Sequence, residues 1–451
     1  MGRRVLMITY YFPPRPGSAS LRLRGLAKYL PEYGWEPVIL TAALPGEPED
    51  RFKVVQTPYP GDATACWKRR LGLAPDKGFQ EQLGIPRALR EGRASFTSRV
   101  VSLAKAIIAY PDDQKGWYSF AVSAGHDLLK RERFDALLSS SGPATCHLIA
   151  REVKRRHEIP WVADLRDLWT QNHYYPYGPV RRLFERRLEV KTLSAADVLV
   201  TVSEPLAQKL RLLHRGKPVA AIPNGYDPDE VALAPLTKEF TITYTGQLYQ
   251  GKRDPALLFC IIAELISEGR LDRRVIRVRF YGATEYWLEK EVKRFGLEDV
   301  VSLHPQVPRN IALEKQRESQ VLLLLNWDDP GEIGVYTGKV FEYLAARRPI
   351  LAVGGPRGVV TELLEETGAG IHALGYDQLK HALMELYEQF RTHGYVPYRG
   401  REERIAKYSH RAMARRFADV LNFVVAKGEG WQECHQTKDF GLSTDRRETN
   451  E

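Results

Sequence analysis

Apolar runs of strand length recur along the 451-residue chain, each followed by a loop rich in glycine, proline or polar residues and then by apolar residues at helical spacing. Val5-Leu-Met-Ile-Thr9 leads through a proline-stiffened loop into Leu21, Leu23, Leu26, Ala27 and Leu30, and then into the strand Val38-Ile-Leu-Thr41. Runs without alternation belong to strands covered on both faces, and such strands pair in parallel through crossover helices. Further strands are read at Phe134–Leu138, at Trp161 onward to Trp169, and at Val198–Val202. The pattern restarts at Phe240–Thr245 after a Pro/Asn/Gly turn near Asn224. The chain is too long for one ordinary core. Two α/β domains are therefore expected: residues 1–216, with a basic insertion at about 60–115, and residues 217–405.

Loops at the carboxyl ends of parallel strands are where such sheets bind ligands. Between the strands Val321–Trp327 and Ile350–Gly354, Val340, Phe341, Leu344 and Ala345 mark a helix. Thr337-Gly338-Lys339 then sits at its mouth, where unpaired amides and the helix dipole attract an anion. Lys339 adds a mobile charge, and Glu342 in the first turn offers a carboxylate to a sugar hydroxyl. An ordinary crossover helix capped by Thr337, with Lys339 and Glu342 solvated, is the competing reading. A second turn, Gly246-Gln-Leu-Tyr-Gln-Gly-Lys252-Arg253, follows the strand 240–245 and reads as a diphosphate clamp. In the first half, Gly17 and Ser18 offer close backbone approach, Arg22 and Arg24 positive charge, and His147 falls near a helix start. Asp164 and Arg166 would share a strand face, with Asp167 beside them. Asp328 and Asp329 follow a strand and read as a turn rather than a metal pair.

The net charge of +10 is unevenly placed. Residues 1–216 hold 34 Lys+Arg against 22 Asp+Glu, a net +12, which leaves −2 for the remainder. A basic half suggests an anionic membrane surface, a phosphate-bearing acceptor or nucleic acid as partner; a solubilising surface is the plain alternative. The clamp in the neutral half argues against nucleic acid. No apolar run approaches the roughly 20 residues that span a bilayer. The four cysteines are scattered, which fits a reducing cytoplasm, and the first loop lacks a dinucleotide fingerprint.

The run "VFEYLAARRPIL" at 340–351, the turn at 242–253, the junction "IPNG" at 222–225 and the "IPWVADLRDLW" stretch at 159–169 resemble glycosyltransferase family 4. The resemblance covers about residues 3–425. It implies a GT-B fold, two Rossmann-like parallel-sheet domains facing across a cleft, with a helix at 406–425 crossing back to the first domain and a polar tail after it. It implies retaining transfer of a sugar from a nucleoside-diphosphate sugar to a glycan, lipid-linked or small-molecule acceptor, with no metal or cofactor. Glu342 falls on the family's ribose-holding glutamate and Lys252 on its clamp lysine; both are assigned to catalysis. Gly246, Arg253, Thr337, Gly338 and Lys339 are assigned to the donor. Gly17, Arg22, His147, Asp164, Arg166 and Asp167 are assigned to the acceptor-side cleft. Two positions depart from the pattern: Gly334 stands where a second glutamate is usual, with Glu332 the nearest carboxylate, and Gln247 stands where an arginine is usual. A nucleotide-sugar epimerase on the same fold and a non-catalytic binder of anionic polymer or membrane are the rival readings.

Overall fold

The computed structural model describes residues 2–70, 107–282 and 284–428. The expected insertion at 60–115 therefore lies largely outside the described residues, as does most of the polar tail. The chain divides into two compact units, one running to Ile222 and resuming at Ala414, the other spanning Pro223–Met413.

The first unit is built on a seven-stranded sheet, β1 (Arg3–Ile8), β2 (Trp35–Ala42), β3 (Lys53–Thr57), β4 (Ala136–Ser140), β5 (Trp161–Leu165), β6 (Val198–Thr201) and β7 (Val219–Ala221), in spatial order 3-2-1-4-5-6-7. Every pairing is parallel. The order reverses between β1 and β4, so the loops after these strands part there and leave a crevice for ligands. Leu6, Ile8, Val38, Leu40, Leu137, Trp161 and Leu199 pack with the helices Thr145–His157 and Glu204–Leu213 into one core. Residues of the helix His410–Gly428 from Ala414 on belong to this unit: Asn422 Oδ1 accepts from Arg3 Nη1 (2.9 Å) and Trp35 Nε1 (3.1 Å).

The second unit repeats the winding with six parallel strands: β8 (Phe240–Thr245), β9 (Ile276–Tyr281), β10 (Val301–His304), β11 (Val321–Leu325), β12 (Ile350–Val353) and β13 (Gly370–Ala373), in order 10-9-8-11-12-13. Its reversal lies between β8 and β11. The unbroken Val321-Leu-Leu-Leu-Leu325 run shows why these strands do not alternate. Leu322 and Leu324 meet Val340, Phe341 and Leu344 on one face, while Val321, Leu323 and Leu325 join the core around Phe259 and Phe280 on the other. The same unit pairs Tyr226 with Ser409, and His410 N donates to Tyr226 O at 2.7 Å. This pair of doubly wound parallel sheets is the GT-B fold.

Candidate functional site

At the end of β8 the chain must turn sharply, and Gly246 does so with φ +114°, a value out of reach of most residues. A Cβ there would stand 2.4 Å from Lys339 Cε, so the lysine side chain lies directly over this glycine. Lys339 is the second residue of the helix Gly338–Ala346, which starts in the loop after β11. Its ammonium also lies over the Tyr244 ring, 5.0 Å from the centroid. Burial, with the Arg253 guanidinium nearby, pulls the Lys339 pKa down to about 8, and Glu342 opposes the shift. Two cationic side chains and one carboxylate thus act on one another at the β8/β11 reversal.

The turn after Gly246 folds back on itself, with Lys252 N and Arg253 N both donating to Tyr249 O at 2.9 and 3.0 Å. Its stem is pinned by Tyr244 Oη, which donates to Gln247 O at 2.9 Å. Lys252 is exposed, and its ammonium lies 4.4 Å from the centre of the Trp327 ring. Trp327 stands two residues past β11, so this cation–π contact ties the turn to the neighbouring strand end. Arg253 extends over Tyr249, 5.5 Å from its ring centre.

Glu342 is half-buried and held from the side of the helix Arg309–Arg317. Gln316 Nε2 donates to Glu342 Oε2 at 3.4 Å and to Thr245 Oγ1 at 2.9 Å, while Arg309 Nε lies 3.5 Å from Glu342 Oε1. Tyr343, buried one residue on, accepts from Thr245 N through its hydroxyl at 3.2 Å. The helix Gly338–Ala346 is thereby fixed to the end of β8 at two successive residues. Thr337 precedes it in extended backbone, yet its side chain makes no capping bond, and its buried Oγ1 has no hydrogen-bond partner. The Thr337 hydroxyl therefore does not cap this helix, and at its mouth Val340 N donates back to Thr337 O at 3.2 Å. Asp329 Oδ1 accepts from Gly331 N at 2.6 Å and so caps a turn. Glu332 is buried in the short 3-10 helix Pro330–Gly334.

The first unit treats its expected residues differently. Arg22 is 1 % exposed, and its Nε and Nη2 bond Asp164 Oδ2 and Oδ1 at 3.1 and 2.9 Å. Nη2 also donates to Ile222 O at 3.1 Å, and the guanidinium lies over Phe417. Ser140 Oγ donates to the same carboxylate at 2.8 Å. The expectation that Arg22 presents its charge to a ligand is corrected: it joins the helix Ser18–Tyr29 to β5 in a fully buried pair. Asp164 and Arg166 both turn to the helix Ser18–Tyr29, where Asp164 takes Arg22, although β5 itself stops at Leu165. Arg166 donates to Ser18 Oγ at 3.0 Å and pairs with the exposed Asp167 at 2.8 Å. His147 is wholly buried, with Nδ1 2.8 Å from Ser139 Oγ, which also accepts from Trp161 Nε1 at 2.8 Å. Burial lowers its pKa to about 4, so the ring is neutral. Gly17, exposed at φ +119°, precedes the helix Ser18–Tyr29 and leaves its mouth open beside Ser18 and Arg166. Gly17, Arg166 and Asp167 therefore share a surface at the strand ends, with Arg22, Asp164 and His147 beneath it.

Sequence reasoning did not single out Trp327, Gln316, Arg309 or Tyr244 for this site. A tryptophan just past a strand end was the one legible signal; Gln316 and Arg309 sit on a helix whose pattern gives no hint of Glu342. Among the described residues no group of three or more His, Cys, Asp or Glu is placed to hold a metal, and no helix is long and apolar enough to cross a membrane.

Residues 17–225 match the family model described as a glycosyl transferase 4-like domain. No curated protein matches the chain. Solved structures do. A sucrose-phosphate synthase from Thermosynechococcus elongatus superposes with a TM-score of 0.60 at 13% identity, covering 94% of this chain and 100% of its own. Anabaena HepE, solved with UDP and glucose, gives 0.58 at 12% identity over 93% and 100%. An α,α-trehalose-phosphate synthase (UDP-forming) from Burkholderia xenovorans, solved with glucose-6-phosphate, gives 0.56 at 14% over 93% and 100%. At these identities the likeness establishes the shared fold.

Proposed function

We propose that this chain, whose residues 17–225 match a glycosyl transferase 4-like domain and whose fold is shared with GT-B glycosyltransferases, moves a sugar from a nucleoside-diphosphate sugar held by its second unit. The observation that carries this reading is Lys339, set over Gly246 at the β8/β11 reversal with Arg253 and Glu342 acting on it. A diphosphate would lie against Lys339, the Gly246 turn, Arg253, Lys252 and the amides of Thr337–Lys339. Charge builds on that leaving group as the glycosidic bond breaks. Fixed cations and amides stabilise the late charge more than the ground state, and each such donor contributes a few kcal/mol. Glu342, oriented by Gln316 and Arg309, would take the ribose hydroxyls. That HepE was solved with UDP and glucose supports a nucleotide-sugar donor.

The acceptor would meet the surface of Gly17, Ser18, Arg166 and Asp167 on the first unit, whose basic balance suits a phosphate-bearing or lipid-linked glycan. The acceptor hydroxyl attacks on the face that the leaving diphosphate vacates, giving retention. The leaving phosphate oxygen takes the acceptor's proton, which is why no separate base is assigned. Neither metal nor cofactor enters this scheme.

Thermal-shift measurement with a panel of UDP-, GDP- and dTDP-sugars tests the donor, since a ligand above its dissociation constant raises the unfolding temperature. One nucleotide is expected to stabilise the protein, and its sugar to be released or transferred with retained configuration by NMR. Absence of stabilisation by every member of the panel contradicts the reading. Solvent deuterium entering the nucleotide sugar without acceptor would favour the epimerase instead.

A further inference from the structure

The helix Pro179–Leu193 of the first unit is turned inside out relative to an ordinary surface helix. Its two acidic residues face inward. Glu185 is 1 % and Glu189 0 % exposed. Glu185 accepts from Trp169 Nε1 at 3.1 Å and pairs with Arg181, while Glu189 accepts from Thr170 N at 3.1 Å and faces His214 at 3.5 Å. Thr192 and Leu193 are buried too. The outward face carries Val180, Leu183, Phe184 and Val190, which are 70, 51, 54 and 39 % exposed. Spacings of three, four and seven put Val180, Leu183, Phe184 and Arg187 on one stripe. Arg182, Arg186, Arg187 and Lys191 are all exposed, and the helix shows no exposed carboxylate.

We propose that this helix docks the protein on an anionic lipid bilayer. A short helix with protruding Phe, Leu and Val among arginines fits the boundary between acyl chains and headgroups, where apolar tips sink in and basic groups meet lipid phosphates. A soluble partner of the same charge would be repelled. That applies to residues 71–106 of this chain, which hold six basic and three acidic residues and so lack the complementary charge. It applies also to a second copy presenting the same basic face. Bare nucleic acid would satisfy the arginines but leave the four apolar side chains in water. The inference does not depend on the donor-site assignment, since none of these residues takes part in it.

The test uses the full chain and sedimentation with phosphatidylcholine vesicles, with and without phosphatidylglycerol. The protein is expected to sediment with the anionic vesicles only, and to be released as salt rises from about 0.1 to 1 M. Leu183→Ser with Phe184→Ser, and separately Arg186→Gln with Arg187→Gln, should each weaken vesicle binding at least about tenfold, given roughly fivefold per basic residue near such a surface. Unchanged thermal unfolding and nucleotide stabilisation in both variants confine the effect to docking. No vesicle binding by the wild type, or equal binding by the variants, overturns the proposal. So does a smaller particle for the Leu183/Phe184 variant in the absence of lipid, which would assign the face to a second copy, or tighter binding to single-stranded nucleic acid than to vesicles.

Discussion

Raising the pH from 7 to 9 should discharge Lys339 and loosen the nucleotide. With a pKa of about 8 in the ligand-free protein, the ammonium is about nine-tenths charged at pH 7 and about one-tenth at pH 9. A diphosphate against Lys339 favours the charged form and pulls its pKa back toward the ordinary lysine value of about 10.4. Affinity for the matching nucleoside diphosphate then follows the charged fraction of the free protein. It should fall about tenfold across this window, or about 1.4 kcal/mol. The second ionisation of the phosphate, near pH 6, lies below the window and does not contribute. Binding at pH 9 should take up close to one proton per nucleotide, and at pH 7 almost none. Isothermal titration in two buffers of different ionisation enthalpy measures both quantities. Lys339→Met keeps the methylene stem over Gly246 while removing the charge, so its weaker binding should be flat with pH. An affinity that does not change between pH 7 and 9, or a slope that survives in Lys339→Met, refutes the assignment.

Lys252→Ala and Glu342→Gln should each cut turnover at least tenfold while leaving the unfolding temperature unchanged, as steady-state rates with the identified donor will show. Gly246→Ala forces a methyl group against Lys339 Cε in a backbone conformation that costs about 1–2 kcal/mol for a residue with Cβ; lost nucleotide binding with a slightly lower melting point is expected by thermal shift. Arg22→Met leaves the Asp164 carboxylate buried without its cation, and denaturant unfolding should lose about 3–5 kcal/mol. His147 carries its own pH signature. Its folded pKa of about 4 lies below the unfolded value of about 6.5, so its contribution to stability is full above pH 6.5 and declines as the pH falls toward 4. His147→Asn should lessen the loss of stability over that interval in urea titrations.

The parallel strands were legible because burial on both faces demands unbroken apolar runs: Val5–Ile8 and Val321–Leu325 announce themselves. Short or polar strands did not. β3, Lys53–Thr57, holds two valines between polar ends, and β13 begins on glycine. The helix expected over 406–425 starts only at His410, because Tyr408 and Ser409 pair with Tyr226 instead. At the candidate donor site, the glycine and lysine positions could be read from strand–loop–helix punctuation. Side-chain partners could not: Gln316 reaches Glu342 across 26 residues of chain. The Arg22–Asp164 pair spans 142 residues and turns two apparent surface charges into one buried link. The inward carboxylates of the helix Pro179–Leu193 were equally hidden, since its sequence alternates charged and apolar residues without showing which face is covered.

A crystal structure of the protein with the nucleoside diphosphate selected by thermal shift tests the central claim most directly. The diphosphate should lie at the Gly246 turn within hydrogen-bond distance of Lys339 Nζ, with the ribose on the Glu342 carboxylate. A nucleotide seated elsewhere, with Lys339 still folded over Gly246 and Glu342 untouched, would contradict it.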